Sequence, residues 1–332
     1  MRKGFDFLWI DDDKSREITA ENLEKNTGTR VHFYDVTNKN LVEQIGHLLD
    51  KHSPDLVIVD HKLDKTIGAL RNKLTSTGAS AAEIIRDSNP QIPVVCVTKV
   101  DVDRDITFAQ RSVYDAVFNA AHLTRKNPIL VAIAKGFRNL SRKPPKNQEE
   151  LLNRLQCPKV DRTRLMQVLP KDVKTGFGQQ GYASVLFRWI SGVFFERPGF
   201  LYDSIWSATL VGAKESSFRK AKEKMEPARY RGLFANDVEP RWWVSRILEI
   251  LYKNTSDSEQ DDSRLLGRAY LEIPKQGYSK CEISRKDLPD TVAFTDKTNT
   301  KRRQVCLEFT EEHPEFQKLL FFEEIRLIME GQ

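Results

Sequence analysis

Four side chains that follow predicted strands could together bind a metal ion and accept a phosphoryl group. Asp11 and Asp12 directly follow the first apolar run of the chain. Asp60 ends the third apolar run, and Thr98 follows the fourth. Three carboxylates form a hard oxygen site suited to Mg²⁺, and a carboxylate can also act as a nucleophile toward phosphorus. Because a threonine hydroxyl can donate to a phosphoryl oxygen, the pattern is typical of magnesium-assisted phosphoryl chemistry.

Each of these residues also has a simpler interpretation. An acidic triplet after a strand commonly caps a helix or lies in a solvated loop, and strand-terminal aspartates are frequent. Thr98 taken alone indicates only the end of a strand. The combination of the four residues, in this order and spacing, is more specific than its parts and favours a common site.

The elements that must position these side chains alternate through residues 1–140. Short apolar runs predict five strands, at Phe5–Ile10, Val31–Tyr34, Asp55–Asp60, Ile92–Val97 and Asp115–Phe118. Amphipathic stretches predict helices at Lys14–Asn26, Asn40–Lys51, Ala79–Arg86 and Pro128–Leu140. The alternation predicts an α/β fold with a five-stranded, parallel, doubly wound sheet covered on both faces. The carboxyl ends of such strands meet at one edge, where the acidic residues would gather.

Three segments resemble the signature segments of a response-regulator receiver domain. They are LWIDDD at Leu8–Asp13, PDLVIVD at Pro54–Asp60 and IPVVCVT at Ile92–Thr98. The stretch that leads into the third segment, GASAAEIIRDSNPQ, is also similar to the family. The resemblance covers residues 4–140 and implies a flavodoxin-like receiver sheet. It does not extend to the rest of the chain.

The resemblance implies a role for each residue of the acidic constellation. Asp60 matches the phospho-accepting aspartate, and Thr98 matches the switch hydroxyl. Asp11 and Asp12 match the acidic pair that holds Mg²⁺ together with the phospho-acceptor. The resemblance also implies a sensor histidine kinase, or a kinase-like ATPase, as the partner that supplies the phosphoryl group.

The chain departs from the family pattern at two places. Asn119 stands where the family has a lysine after the fifth strand, and a neutral amide cannot replace an ammonium charge. Lys99 directly follows Thr98, and we expect its side chain to point elsewhere. The short turn after the phospho-acceptor is replaced by His61–Thr77, which contains four Lys/Arg residues that we expect to be solvated. Loss of the lysine should weaken the coupling of phosphorylation to conformation more than it weakens metal binding.

The length of 332 residues predicts two domains. We expect a receiver-like domain at 1–140, a basic, proline-containing linker at 141–147 and a mostly helical α+β domain at 148–332. Helices are predicted in this domain at Glu149–Leu155, Tyr182–Glu196, Leu201–Val211, Glu215–Met225, Arg241–Tyr252 and Glu315–Met329. Alternating apolar residues predict a hairpin of Thr291–Phe294 with Gln304–Phe309. The aromatic residues of the helices are expected in the core rather than on a partner surface.

Composition and charge exclude several classes of protein. No apolar run approaches the ~20 residues of a membrane span, so we expect a cytoplasmic protein without a membrane segment. The four cysteines lie far apart with no CxxC pair, which speaks against a zinc ribbon and a disulfide framework. Residues 1–140 carry 20 Lys/Arg and 19 Asp/Glu, whereas residues 141–175 carry 9 and 4. Because the positive charge is concentrated in the connector, DNA is not expected as a partner.

The sequence therefore predicts a two-component-type signalling protein that is not an enzyme. Its receiver would take a phosphoryl group on Asp60 with Mg²⁺ and relay that state through 148–332 to a downstream protein partner. The architecture is also similar to atypical receivers of bacterial conflict and anti-phage defence systems. Three alternatives stay open: a DNA-binding transcriptional regulator, a degenerate, non-phosphorylated receiver used as a binding platform, and a second half that is an enzyme with a site assembled from scattered residues. The glycine-rich segment Gly176–Gly181 is predicted to be a loop rather than a phosphate cradle, because no buried strand precedes it.

Overall fold

A computed structural model describes residues 4–36, 41–63, 77–100, 106–254, 262–294 and 302–307. The chain divides into two compact units. The first contains residues 1–146 together with 176–188 and 236–238, and the second contains 147–175, 189–235 and 239–332. Residues 176–188 and 236–238, which follow the predicted linker in the sequence, therefore belong to the first unit. The domain bounds given by the sequence stay a prediction. No helix within the described ranges is long and apolar enough to cross a membrane.

A five-stranded parallel sheet forms the centre of the first unit. Its strands are β1 (Asp6–Asp11), β2 (Arg30–Asp35), β3 (Leu56–Val59), β4 (Val94–Thr98) and β5 (Ala116–Asn119). They lie in the order β2-β1-β3-β4-β5, and every neighbouring pair is parallel. This confirms the predicted doubly wound α/β sheet, because the order is the flavodoxin-like one.

Within the described residues, five α-helices connect or follow these strands. They are α1 (Glu17–Thr27), α2 (Leu41–His52), α3 (Gly78–Ser88), α4 (Phe108–Ser112) and α5 (Ala120–Arg142). The short α4 has no counterpart among the predicted helices, and a capping box of Thr107 and Gln110 begins it. Helix α5 contains Pro128 in its interior, although the sequence predicted a start at this proline. The helix begins earlier because the Asn119 side chain accepts from the Ala121 N–H at 2.9 Å.

The core of the first unit lies against both faces of the sheet. Every residue of β1, β3 and β4 is buried, as expected for parallel strands covered by helices. Leu8 and Val57 belong to one apolar cluster with Ile45 of α2 and Ile85 of α3. This burial stiffens the strands whose carboxyl ends carry the acidic residues.

The second unit is mostly helical, as predicted, with two short antiparallel strand pairs. The helices that follow α5 along the chain are α6 (Gln148–Arg154), α7 (Arg162–Val168), α8 (Lys171–Thr175), α9 (Tyr182–Trp189), α10 (Ser204–Leu210), α11 (Glu215–Ala221), α12 (Val244–Asn254) and α13 (Ser263–Tyr270). The strand pairs are β6 (Leu201–Tyr202) with β7 (Trp242–Trp243), and β8 (Thr291–Phe294) with β9 (Arg302–Val305).

Several predicted elements of this half differ from the structure in their bounds. The helices predicted from Leu201 and Arg241 each begin with a two-residue strand instead. A π-helical turn, Ile190–Phe194, follows α9. The second strand of the hairpin begins at Arg302, before the predicted start. The predicted helix Glu315–Met329 lies outside the described residues.

Four large aromatic residues of the second unit form core, as expected, whereas Phe195 and Trp206 are half-buried and Tyr252 is exposed. Trp189, Phe194, Trp242 and Trp243 are all buried. The Phe194 ring stacks on Trp189 and meets Trp243 edge-on, with centroids 5.1 and 5.7 Å apart. These rings supply the apolar burial that the unit needs rather than an exposed partner surface.

An ion-pair cluster fastens the amino ends of β4 and β5. The carboxylate of Asp115 is completely buried and lies 3.0 Å from the Arg86 guanidinium. Its other oxygen, Oδ2, accepts a hydrogen bond from the Val94 N–H at 2.9 Å. The Arg188 Nε lies 3.8 Å from Oδ1, the oxygen that faces Arg86. Burial and the charge of Arg86 lower the pKa of Arg188.

We expect Asp115→Ala to lower the free energy of unfolding by about 3 kcal/mol, because it leaves two half-buried guanidinium groups and the buried Val94 N–H without their partner. Urea denaturation followed by circular dichroism measures the change. The matched control is Glu21→Ala, whose partner Lys25 is exposed and 3.9 Å away. That variant should shift the free energy by less than about 0.5 kcal/mol. Equal effects of the two substitutions would contradict this account of the cluster.

Candidate functional site

Three carboxylates meet at the carboxyl edge of the central strands. Asp11 ends β1, Asp12 follows it, and Asp60 directly follows β3. Strands β1 and β3 pair in register, Ile10 opposite Val59, so the residues after them become neighbours. One carboxylate oxygen from each aspartate lies within 4.8 Å of the others. The structure therefore brings together the three acids that the sequence singled out as metal ligands.

Asp11 is held rigidly within this cluster. Its Oδ2 accepts from the Trp9 indole N–H at 3.1 Å, and its Oδ1 accepts from the Asp13 N–H at 2.9 Å. Burial raises the pKa of Asp11, although these two hydrogen bonds and the charge of Arg16 act to lower it. The carboxylate is thus fixed in place, and a nearby cation would stabilise its ionised form.

Asp60 is the most electrostatically perturbed acid of the cluster. Its backbone N–H donates to the Ile10 carbonyl at 3.1 Å, which ties it to β1. Burial, and next the negative charge of Asp11, raise the pKa of Asp60 to about 6. A carboxylate under such repulsion is stabilised by a divalent cation or by protonation.

The cluster has the ligand chemistry that Mg²⁺ requires and comes close to the spacing that it requires. All three groups offer carboxylate oxygens, the ligand type that Mg²⁺ prefers. Two oxygens bound to one Mg²⁺ at ~2.1 Å are at most ~4.2 Å apart. The observed spacing of up to 4.8 Å is therefore a small side-chain movement from a shared ion.

Thr98 and Asn119 lie opposite each other on β4 and β5 at the same edge of the sheet. Thr98 is buried, and its Oγ1 accepts from the Val100 N–H at 3.3 Å. The Asn119 side chain caps α5. The position at which the family has a lysine is therefore occupied by a neutral amide engaged in a helix cap.

Two cations accompany the acids. The Lys99 ammonium lies 2.8 Å from Asp13 Oδ2 and holds the pKa of Asp13 well below its usual range. Lys99 thus contacts Asp13 of the acidic triplet, which is not one of the three clustered carboxylates. Arg16 is buried, and its charge acts on both Asp11 and Asp60.

The sequence analysis missed Arg16 because it predicted a regular helix from Lys14. The chain instead makes one 3₁₀ turn over Lys14–Arg16, and the Asp13 side chain caps this turn by accepting from the Ser15 N–H. A 3₁₀ turn has three residues per turn and so presents different side chains inward than an α-helix does. The signal available in the sequence for a cation beside the acids was the run Asp11–Asp13 followed closely by Arg16.

Gly78 is a second residue that the sequence analysis missed. Its N–H donates to the His61 carbonyl at 3.0 Å, and it begins α3. A Cβ at this position would lie 1.9 Å from the Asp60 carbonyl oxygen and 2.9 Å from the Tyr114 hydroxyl. Only glycine allows this approach of α3 to the backbone of Asp60. Within His61–Thr77, residues 64–76 and most of the predicted solvated cations lie outside the described residues.

No family model matches this chain, and no curated protein matches it. Among solved structures, it is similar to the N-terminal domain of a response regulator/sensory box/GGDEF three-domain protein from Carboxydothermus hydrogenoformans. The identity is 19%, the match covers 41% of this chain and 97% of that one, and the TM-score is 0.32. A response regulator receiver domain protein from Clostridium thermocellum matches at 18% identity, with coverage of 41% and 98% and a TM-score of 0.31.

The response regulator protein TrrA from Thermotoga maritima, solved in complex with Mg²⁺–BeF, is 19% identical. That match covers 35% of this chain and 85% of TrrA, with a TM-score of 0.27. These structural neighbours are receiver domains, and each matches less than half of this chain. The strand order β2-β1-β3-β4-β5 decides the class of the fold. The first unit has the flavodoxin-like fold of receiver domains.

Proposed function

We propose that this chain is a two-component-type signalling protein whose first unit accepts a phosphoryl group on Asp60. Mg²⁺ would be held by Asp11, Asp12 and Asp60. The observation that carries the proposal is the convergence of these three carboxylates within 4.8 Å at the carboxyl edge of a receiver-like sheet. Ligands of open α/β sheets bind at this edge.

Each residue of the site would have a separate role in phosphoryl transfer. A carboxylate oxygen of Asp60 attacks phosphorus while the bond to the donor's leaving group breaks. When bound, Mg²⁺ neutralises negative charge on the phosphoryl oxygens. Thr98 supplies a hydroxyl that can donate to one of those oxygens. With its pKa near 6 before any cation binds, Asp60 is mostly ionised at neutral pH and competent as a nucleophile.

Arg16 and Lys99 provide positive charge where Asn119 provides none. Arg16 is buried beside the acids, whereas the Lys99 side chain is 62% exposed at the rim. A buried cation acts through a lower dielectric than an exposed one and is screened less by salt. We therefore assign the larger electrostatic contribution to Arg16.

We expect Arg16→Gln to tighten Mg²⁺ binding and to weaken uptake of a phosphoryl group. A nearby unit charge in a half-buried site contributes on the order of 1 kcal/mol, or about fivefold in affinity. Calorimetric titration with Mg²⁺, and then with beryllofluoride as a phosphoryl mimic, measures the two effects. Lys99→Gln is the matched control and should change both affinities by less than about twofold. Tighter binding of both ligands to the Arg16 variant would contradict the assigned role.

The second unit is proposed to relay the state of Asp60 to a downstream protein partner. A sensor histidine kinase, or a kinase-like ATPase of a bacterial defence system, would supply the phosphoryl group. We propose no further enzymatic activity for the chain. The glycine-rich segment follows helix α8 rather than a strand, which does not fit the strand–turn–helix order of a dinucleotide site.

A degenerate receiver that serves as a binding platform is the second candidate. Asn119 favours it, because the amide at this position caps a helix and offers no ammonium group. Such a domain would keep the Mg²⁺ site and lose the response to phosphorylation. The alternative of a DNA-binding regulator gains little support, since three arginines of α11 and β9 pair with acids. These pairs are Arg219–Glu215, Arg302–Asp203 and Arg303–Glu282.

Sequential titration with Mg²⁺ and beryllofluoride separates the two candidates. A phospho-accepting receiver binds Mg²⁺ and then beryllofluoride, and Asp60→Asn loses the second step. A binding platform binds Mg²⁺ alone. Failure of the wild-type chain to bind either ligand would overturn the proposed site.

A further inference from the structure

Two cysteines that lie 25 positions apart in the sequence meet in the second unit. The Cys306 N–H donates to Cys281 Sγ at 3.3 Å. Since N and Cα of one residue are ~1.5 Å apart, the Cys281 sulfur lies within about 5 Å of the Cys306 Cα. This approach is compatible with a disulfide.

A tight turn shapes the surroundings of the Cys281 sulfur. The Cys281 N–H donates to the Lys286 carbonyl at 2.8 Å, and the Arg285 N–H donates to the Cys281 carbonyl at 2.9 Å. Arg285 takes a left-handed backbone, with φ of 62°, to close the turn. The Ser284 N–H then points at Cys281 Sγ, 3.4 Å away.

Two backbone N–H groups, those of Ser284 and Cys306, converge on this one sulfur at 3.4 and 3.3 Å. Burial acts to raise the pKa of Cys281, but hydrogen bonding by the Ser284 hydroxyl and the surrounding N–H groups outweighs it and lowers the pKa to about 7. A thiolate is the reactive form of cysteine, and Cys281 holds one near neutral pH.

The other three cysteines differ in this respect, since burial also raises the pKa of Cys306, which therefore needs the Cys281 sulfur as a base before it can react. Cys96 and Cys157 are buried, and burial raises the pKa of both thiols, that of Cys157 to about 12. Structural cysteines of this kind are inert. Within the described residues, the thiolate-stabilising arrangement is a property of the Cys281 turn.

The two sulfurs are held on packed elements and one of them reaches the surface. Gln304 is buried, and its amide donates to Thr209 Oγ1 and to the Ala213 carbonyl, both at 2.9 Å. The Gln304 carbonyl accepts from the Glu282 N–H at 3.1 Å, which fastens the turn to β9. Cys281 itself is buried, whereas Cys306 is half-exposed.

We propose that Cys281 and Cys306 form a reversible intramolecular disulfide when a hydroperoxide oxidises the second unit. Cys306 gives its proton to the Cys281 sulfur and attacks the terminal oxygen of the peroxide. The O–O bond breaks, the other oxygen leaves as hydroxide from hydrogen peroxide or as an alkoxide from an organic hydroperoxide, and Cys306 becomes a sulfenic acid. The Cys281 sulfur then attacks the Cys306 sulfur, the S–O bond breaks, and the Cys281 proton leaves with the hydroxyl as water. Two electrons pass from the sulfur pair to the peroxide. A dithiol reductant reverses the change.

Peroxide treatment of the reduced full-length chain tests the proposal, with alkylation in denaturant, intact mass and peptide mapping. The wild type should lose about 2 Da, keep two alkylatable thiols of four, and yield a peptide joining Cys281 to Cys306. Dithiothreitol should restore all four. Cys157→Ala, which removes a buried cysteine of the same unit, should leave the cross-link unchanged.

Dimedone, which captures sulfenic acids, tests the order of the steps. Dimedone present during peroxide treatment of the wild type should give an adduct on Cys306. Cys281→Ser, which lacks the base that takes the Cys306 proton, should form this adduct more slowly, and Cys306→Ser should show none on Cys281. Four alkylatable wild-type thiols after peroxide treatment, or a cross-link that joins two chains, would overturn the proposal. An adduct confined to Cys281 would overturn the order. Because the wild-type mapping needs no substitution, the result does not depend on the folding of the variants.

Discussion

Replacing Gly78 with alanine should lower the free energy of unfolding by about 3 kcal/mol and displace the phosphoryl-accepting residue. The added methyl group would lie 1.9 Å from the Asp60 carbonyl oxygen, a backbone atom that cannot rotate away. The amino end of α3 must therefore move away from β3, or β3 must bend. Either movement shifts Asp60 relative to Asp11, and the affinity for Mg²⁺ should fall with the stability.

Gly46→Ala is the matched control for this prediction. Gly46 lies within α2, and a Cβ there would meet no atom within 4 Å. Alanine should stabilise that helix by about 0.5–1 kcal/mol, because it restricts the unfolded chain and favours the helix. Urea denaturation of both variants should give changes of opposite sign. A Gly78 variant as stable as the wild type would show that α3 does not approach Asp60 this closely.

Asp60→Asn should raise the stability of the first unit at neutral pH while it removes the function of the site. The folded-state pKa of Asp60, about 6, lies above its ordinary value of 3.8. The ionised carboxylate therefore destabilises the folded state above pH 6, and this cost disappears as the pH falls toward 4. A shift of about two pKa units corresponds to about 3 kcal/mol as an upper value.

Thermal unfolding at pH 7.5 and pH 4.5, with and without Mg²⁺, measures this effect. The variant should be more stable than the wild type at pH 7.5, and the difference should shrink at pH 4.5. Mg²⁺ should stabilise the wild type, by about 2.7 kcal/mol at 100 times its Kd, and stabilise the variant much less. Asp87→Asn, on the exposed face of α3, should change neither result. A wild type that is stabilised over the variant at pH 7.5 without Mg²⁺ would contradict the electrostatic account.

The part of the site that the sequence predicted depends on local pattern and sheet geometry. Asp11, Asp12 and Asp60 end or follow buried apolar runs, and parallel pairing of β1 with β3 necessarily brings them together. The absence of the family's lysine was also predictable, because Asn119 is the residue that ends β5, opposite Thr98. These inferences need only strand periodicity and a parallel arrangement.

The remaining features depend on contacts that local sequence does not encode. Burial of Arg16 follows from a 3₁₀ turn, which the periodicity of an α-helix hides. The close approach of Gly78 to Asp60 spans a long insertion, and one glycine among small residues gives a weak signal. A turn and a strand register bring Cys281 and Cys306 together. Their wide spacing in the sequence therefore argued against an approach that only the fold produces.

The central claim is that Asp60 accepts a phosphoryl group, and intact mass spectrometry tests it most directly. The chain is incubated with Mg²⁺ and acetyl phosphate beside Asp60→Asn and, as a control with an intact carboxylate cluster, Asp87→Asn. The account predicts a single addition of about 80 Da in the wild type and in the control, and none in the Asp60 variant. An addition that persists without Asp60, or a wild type that binds Mg²⁺ and gains no mass, would contradict it.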